Sequence, residues 1–198
     1  KCTGFLVARR FVLTVGHCLY DPAFGGKPDE VTFEPNKDGP LDHAGCTTTK
    51  RRNMFVLPGW VADPRPSSGE DLAGFFLEDC SPGILGQTGW FGMDGVEWDS
   101  RMAVRGYPED FGGSMVGATG ETYSFGSQVA WYYIDATDGE SGAPVFIVRD
   151  PPGPLPRGPY ALAVHAGGQE ARGANYGTRL TYSRIRTIAH WIDRGLIR

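Results

Sequence analysis

Apolar residues in this chain fall into short runs rich in Val, Ile, Phe, Tyr and Trp, broken by Gly, Pro, Asn, Asp and Ser. Such runs between turn residues are the pattern of β-strands. They predict strands at Cys2–Val7, Phe11–Val15, Glu30–Phe33, Asn53–Leu57, Leu72–Leu77, Arg101–Tyr107, Ser114–Thr119, Thr122–Phe125, Val129–Asp135, Ala143–Val148, Tyr160–His165 and Tyr176–Thr181. The first two form a hairpin about Ala8-Arg9-Arg10, and Gly16-His17-Cys18 closes the second strand. A helical period surfaces once, at the end of the chain. There Ile185, Ile188, Trp191 and Ile192 make one apolar stripe, Thr181 or Ser183 can cap it, and Gly195 ends it. Asp150–Pro159 is too rich in Pro for a strand and is expected to be a surface loop. Many short strands with turns between them predict an all-β fold, a barrel or sandwich pair. The boundary between its halves is expected between Cys80 and Trp98, and no internal repeat is visible.

Composition changes this picture little. Gly and Pro (29 and 15) make up 44 of 198 residues, but as punctuation rather than tracts. With 40% hydrophobic residues, 12% aromatic and only 21% charged, the chain has ample surface to bury, which excludes disorder. The net charge of −4 argues against a nucleic-acid or anionic-membrane partner. No apolar stretch reaches the roughly 20 residues that a membrane span needs. The chain opens at Lys1-Cys2 inside what reads as a strand, so a removed leader or a fragment is expected. Cys2, Cys18, Cys46 and Cys80 contain no CxxC pair, which disfavours structural zinc. Two disulfides in an oxidising compartment are the reading, with free thiols in a cytosolic protein as the alternative. If the hairpin forms, Cys2 and Cys18 face each other at its open end, and Cys46–Cys80 follows by elimination.

Three segments can carry chemistry, in the order His, Asp, Ser. They are Leu13-Thr14-Val15-Gly16-His17-Cys18, Gly69-Glu70-Asp71-Leu72-Ala73 and Asp138-Gly139-Glu140-Ser141-Gly142-Ala143-Pro144. A Ser hydroxyl is a poor nucleophile until an imidazole accepts its proton, and a buried carboxylate holds that imidazole in the right tautomer. Gly139 permits the backbone geometry by which the N–H groups of Gly139 and Ser141 can face an oxyanion. Each segment alone reads as a common turn or strand end; their conjunction is what points to catalysis. The nucleophile elbow of α/β-hydrolases does not fit, because its second glycine would fall at Ala143 and its chain order differs.

These segments resemble the chymotrypsin-fold serine proteases, and most of all the glutamyl endopeptidase branch typified by the staphylococcal enzyme. Cys2-Thr3-Gly4-Phe5-Leu6-Val7 through His17-Cys18 is similar to the family's first hairpin and catalytic His, and Glu70-Asp71-Leu72-Ala73 to its Asp segment. Val104-Arg105-Gly106-Tyr107-Pro108 resembles the turn early in the second barrel, and Gly139–Phe146 the nucleophile loop. Ala163–Gly168 is similar to the strand lining the S1 pocket, and Asn175–Arg179 to the strand after it. The resemblance implies two six-stranded antiparallel β-barrels and a C-terminal helix: a first barrel over 1–88, a second over 89–182, and the helix over 183–198. It implies a secreted, monomeric endopeptidase acting on proteins or peptides without cofactor or metal. His17 is then general base and acid, Asp71 the orienting carboxylate, Ser141 the nucleophile, and Gly139 with Ser141 the oxyanion hole.

The glutamyl branch further implies that His165 reads an acidic P1 side chain in a pocket shared with Ala136, Thr137, Gly167 and Gly168. Two departures stand out there. The branch carries Thr or Ser where this chain has Ala136, a role left to Thr137, and no acid stands at that position, which disfavours Arg or Lys at P1. The strand that normally precedes the first hairpin is also missing from the chain as given. Glu140 holds the place of an Asp that pairs with a new amino terminus in trypsin-like enzymes; here it is expected to pair with an arginine or face solvent. His43 and His190 read as surface or packing residues, Lys50-Arg51-Arg52 as a solvated loop, and no N-glycosylation sequon occurs. Rival readings are a catalytically silent homologue that binds peptides or a partner through the same cleft, and an active protease with a non-acidic P1 preference.

Overall fold

The computed structural model describes residues 1–198 apart from 36, 38–44, 49, 81–89, 96–100, 150–155 and 197–198. His43, most of the expected boundary segment and the first part of the Pro-rich stretch lie outside the described residues.

Residues before 81 form seven strands: β1 (Phe5–Ala8), β2 (Phe11–Thr14), β3 (Val31–Phe33), β4 (Cys46–Thr48), β5 (Met54–Val56), β6 (Ala73–Phe76) and β7 (Asp79–Cys80). Residues after 101 form seven more: β8 (Met102–Gly106), β9 (Val116–Gly120), β10 (Thr122–Phe125), β11 (Val129–Tyr132), β12 (Pro144–Arg149), β13 (Gly158–Gln169) and β14 (Ala174–Arg179). They pair antiparallel in three sheets, ordered β1-β2-β6-β5, β3-β4-β7 and β10-β11-β14-β13-β12-β8-β9. The expected barrel pair thus takes the form of curled sheets of four, three and seven strands, with no closing strand pair among the described residues.

Every expected strand is present, Thr122–Phe125 with the expected ends and the others with at least one end shifted. Two were missed, β4 and β7, which are too short to show alternation. They are held face to face instead by a disulfide, since Cys46 and Cys80 are direct partners in the ladder. The second bridge, Cys2–Cys18, is also as expected. Gly16-His17-Cys18 does not extend β2: it opens a one-turn helix, α1 (Gly16–Leu19), and a second short helix, α2 (Pro58–Ala62), follows β5. Gly158 and Pro159, assigned to a loop by their composition, begin β13, where a proline at the start of a strand costs little ladder bonding.

The last helix, α3 (Tyr182–Leu196), is capped by Thr181, whose Oγ1 accepts from the Arg184 N–H at 3.4 Å. Its stripe enters a core shared by the whole chain, in which Phe11 and Leu13, Ala161 and Val164, and Ile188 and Trp191 pack in one cluster. Separate clusters fill the first half around Phe75 and the second around Tyr132. His190 is exposed on the outer face of α3. Gly195 does not end the helix; it lies inside it, against Phe76.

That contact yields a prediction against helix propensity. A Cβ at Gly195 would stand 1.8 Å from Phe76 Cε2. Gly195→Ala should therefore lower stability by about 1–3 kcal/mol through overpacking, although Ala favours a helix by about 1 kcal/mol. A urea midpoint measurement decides the sign.

Candidate active site

His17 sits on α1, one residue before the Cys2–Cys18 bridge that ties α1 to the start of the chain. Asp71 lies just before β6, buried, with both carboxylate oxygens used on His17. Oδ1 accepts from the His17 backbone N–H at 2.9 Å, and Oδ2 lies 2.7 Å from Nδ1. Bonded in this way, the carboxylate makes Nδ1 the protonated nitrogen and leaves Nε2 as the acceptor. The Asp71 carbonyl accepts from Thr178 Oγ1 of β14 at 2.7 Å, so the carboxylate's own backbone is fixed from the second half of the chain. Arg184 of α3, almost fully buried, donates to the carbonyls of Gly69, Gln128 and Arg179 and so braces the same segment.

Around Ser141 the carbonyl of each peptide is engaged. Asp138 O accepts from Glu109 N at 2.8 Å, Gly139 O from Thr3 Oγ1 at 2.9 Å, Glu140 O from Ala143 N at 2.8 Å, and Ser141 O from Thr3 N at 2.8 Å. In a planar trans peptide the N–H points opposite to the C=O. The Asp138 and Glu140 carbonyls, bonded inward, therefore aim the N–H groups of Gly139 and Ser141 outward, and neither has an acceptor among the described residues. Gly139 adopts φ +95° and Gly142 φ +93°, which L side chains rarely take. A Cβ on Gly142 would lie only 2.0 Å from the Thr3 carbonyl oxygen.

Glu140 neither pairs with an arginine nor faces solvent, contrary to expectation. It is buried, and Oε2 accepts from the Thr137 N–H at 2.8 Å within its own loop. Burial raises its pKa, the Thr137 bond pulls it back, and Asp135 and Asp110 push it up again.

Ser141, Ala136, Thr137, His165, Gly167 and Gly168 line one cavity of about 600 Å³. His17, Asp71 and Gly139 are not part of its lining. Next to His17 in the chain, Cys18 Sγ lies 4.0 Å from Ser141 O, and Thr14 Oγ1 donates at 2.9 Å to the carbonyl of Thr3, whose N–H bonds Ser141 O. His165 is buried on β13, with Nδ1 2.6 Å from the hydroxyl of Tyr132, and burial followed by the nearby His17 lowers its pKa to about 4. Sequence reasoning passed over four residues here. Thr3 and Tyr132 looked like ordinary strand positions, and only tertiary structure gives them partners. Asp135 and Asp138 also line the cavity. They add two acidic residues to the lining, on either side of Ala136 and Thr137, although Ala136 itself carries no acid.

Comparison with known proteins places this geometry. No family model matches the chain. It is 28% identical over 201 residues to a glutamyl endopeptidase of Bacillus licheniformis, covering 96% of this chain and 59% of that protein. It is likewise 28% identical to an extracellular metalloprotease of Bacillus subtilis, covering 98% of this chain and 58% of the other. The chain thus spans less than two thirds of the curated relatives it matches. Among solved structures, a Glu endopeptidase in complex with MPD superposes with a TM-score of 0.76 at 21% identity, covering all of this chain and 86% of that one. An inactivated protease paralogue of the scabies mite superposes with a TM-score of 0.64 at 16% identity, covering 96% and 88%. The fold is that of the chymotrypsin-type serine proteases. In sequence the chain is similar to a glutamyl endopeptidase over nearly its whole length.

The word metalloprotease in one relative's name calls for a donor set. Among the described residues one group has suitable spacing, Cys2, His17 and Cys18. Both sulfurs are spent in a disulfide and offer no thiolate, and His17 Nδ1 is held by Asp71. These residues do not fit a metal.

Two predictions follow from the loop and the buried imidazole. Thr3→Val removes the hydroxyl that donates to Gly139 O and accepts from Tyr107 N at 3.0 Å. Labelling of Ser141 by a fluorophosphonate should slow about 10-fold, less than the roughly 10²–10³ lost when an oxyanion donor is removed outright, and Thr3→Ser should restore it. His165 is protonated near pH 6.5 when unfolded but only near pH 4 when folded, so the unfolded state binds more protons between these values. Its contribution is present above pH 6.5 and lost as pH falls towards 4. Glu140, with a raised pKa, works in the opposite sense. His165→Gln should therefore show a smaller fall in Tm than the wild type between pH 6.5 and 4.

Proposed function

We propose that the protein is a serine endopeptidase in which Ser141 is the nucleophile, His17 the general base and acid, and Asp71 the orienting carboxylate. The observation that carries this reading is the loop around Ser141, in which the N–H groups of Gly139 and Ser141 both point outward and have no acceptor among the described residues. Two such donors match what a tetrahedral oxyanion requires, each typically worth about 2.7–4 kcal/mol in the transition state. Ser141 Oγ attacks the scissile carbonyl while His17 Nε2 takes its proton, and the carbonyl π electrons move onto the oxygen between the two N–H groups. Collapse expels the amine, which leaves with the proton from His17. Water, deprotonated by the same imidazole, then hydrolyses the acyl-enzyme and regenerates Ser141. Asp71, bonded to His17 through both oxygens, holds the tautomer and stabilises the imidazolium.

Further parts of the reading rest on homology and chemistry. Two disulfides and a relative named as extracellular support a secreted protein. The substrates are proteins or peptides, bound by a monomer whose two β units span 1–88 and 89–182, with α3 packed across them. At P1 the reading is a side chain ending in an acceptor oxygen, Glu before Asp. The glutamyl endopeptidase homologue and the His165 ring in the cavity support it. Asp135 and Asp138 favour the second reading, a P1 residue that carries no negative charge.

The inactivated mite paralogue shows that this fold can be kept without activity, so the residues have to be tested directly. A fluorophosphonate probe should label Ser141, and His17→Ala or Ser141→Ala should abolish labelling and reduce kcat by about 10⁶. Folded wild-type protein that does not label overturns the protease reading. Cleavage of a peptide library, read by mass spectrometry, should show cuts after Glu that weaken in His165→Ala. Equal cutting after Phe would remove the P1 assignment and leave the nucleophile.

A further inference from the structure

Tyr132 is fully buried at the end of β11, and the described residues offer its hydroxyl one partner, His165 Nδ1 at 2.6 Å. Two arrangements of protons are open to this pair. If Nδ1 carried the hydrogen, the phenol oxygen would accept it, and the phenol's own hydrogen would be buried with nothing to receive it. If the phenol donates to Nδ1, its hydrogen is satisfied, and the remaining hydrogen falls on Nε2, which is not among the fully buried unpartnered atoms. A stranded buried donor costs about 1–3 kcal/mol, so the second arrangement prevails. It places the imidazole hydrogen on Nε2. That nitrogen has no acceptor among the described residues, and the ring lines the cavity that contains Ser141.

We propose that Tyr132 is a positioning residue that fixes His165 as the neutral Nε2–H tautomer, so that P1 is read by an uncharged donor and glutamine is a substrate alongside glutamate. This rests on the serine endopeptidase reading. One neutral N–H bonds an amide oxygen as well as a carboxylate oxygen, the latter more strongly but without the further gain of an imidazolium, and it supplies no acceptor for an ammonium or guanidinium. What would otherwise favour glutamate is positive charge, and the cavity lining carries none. Its charged residues are Asp135 and Asp138, both of which repel a carboxylate.

The surroundings keep the imidazole uncharged. The ionisable groups around the pair are His17 of α1, Tyr176 of β14, and Glu140, Asp135 and Asp138 of the loop leading to Ser141. Burial lowers the His165 pKa and raises that of Tyr132, so neither partner titrates between pH 5.5 and 9 in the free protein.

The test compares matched peptides with Glu, Gln, Arg or Ala at P1, from pH 5.5 to 9. The kcat/KM values for Glu and Gln should agree within about 10-fold, and their ratio should stay flat across the range. In Tyr132→Phe the preference of both over Ala should fall about 10-fold. The ¹⁵N imidazole spectrum of the wild type should show His165 protonated at Nε2 and bare at Nδ1 throughout. A Glu:Gln ratio above about 100 that drops tenfold per pH unit beyond about 6.5 would indicate imidazolium recognition and overturn the proposal. Dominant cleavage after Arg, or an Nδ1–H tautomer, would overturn it as well. If Tyr132→Phe does not fold, the wild-type ratio and the spectrum decide alone. If Ser141 does not label while the spectrum shows Nε2–H, the protease reading fails and the tautomer assignment stands.

Discussion

A peptide group cannot turn its carbonyl without turning its N–H. In this protein that constraint falls on residues 138–142, where the inward-bonded Asp138 and Glu140 carbonyls leave the N–H groups of Gly139 and Ser141 pointing outward. None of the bonds is strong in net terms, at about 0.5–1.5 kcal/mol each. Their effect is geometric. They keep the loop in one arrangement before any substrate arrives, which is the condition under which dipoles stabilise a developing charge without first reorganising. Glu140 belongs to the same system. Its carboxylate closes back on Thr137 and fills the interior of the loop, so the turn needs no distant cation to hold it.

The loop depends on parts of the chain remote from it in sequence. Thr3 contributes three bonds to its support: backbone N–H to Ser141 O, hydroxyl to Gly139 O, and hydroxyl from Tyr107 N. The Cys2–Cys18 bridge and Thr14 fix Thr3 in turn. On the other side, Thr178 and Arg184 reach back to Asp71 and Gly69. Residues of the first half thus hold the Ser141 loop, and residues of the second half hold the Asp71 segment. The shared apolar cluster makes this exchange rigid, since Phe11, Val164 and Ile188 pack in one core.

Much of this was legible in the sequence where a local pattern encodes it. Alternation in runs such as Val145-Phe146-Ile147 marks strands, and the Ile185–Ile192 stripe marks the helix. Residue types marked the His17, Asp71 and Ser141 segments. Cys46–Thr48 and Asp79–Cys80 were invisible because three residues carry no period, and a disulfide supplies the pairing instead. The helical turn at Gly16–Leu19 was read as strand because Leu13-Thr14-Val15 before it is strongly β-prone. The support of the loop was illegible for a different reason. A threonine at position 3 and a tyrosine at position 132 satisfy strand propensity wherever they occur, and their partners lie 136 and 33 residues away. Nothing local distinguishes a hydroxyl that faces solvent from one that orients a neighbouring group.

The reach of Arg184 has a consequence for how the protein is made. Its guanidinium, arriving with the last helix, bonds the carbonyl that precedes Glu70 and Asp71 by one and two residues. A chain emerging from the ribosome can pair its early strands while Ser141 is still unsynthesised. Even once Ser141 has appeared, the segment that carries Asp71 lacks Thr178 and Arg184. The bracing of the proposed site is therefore completed only once residue 184 has been made. For the protease proposed above, a copy made only as far as Ser141 would lack the braces of its Asp71 segment.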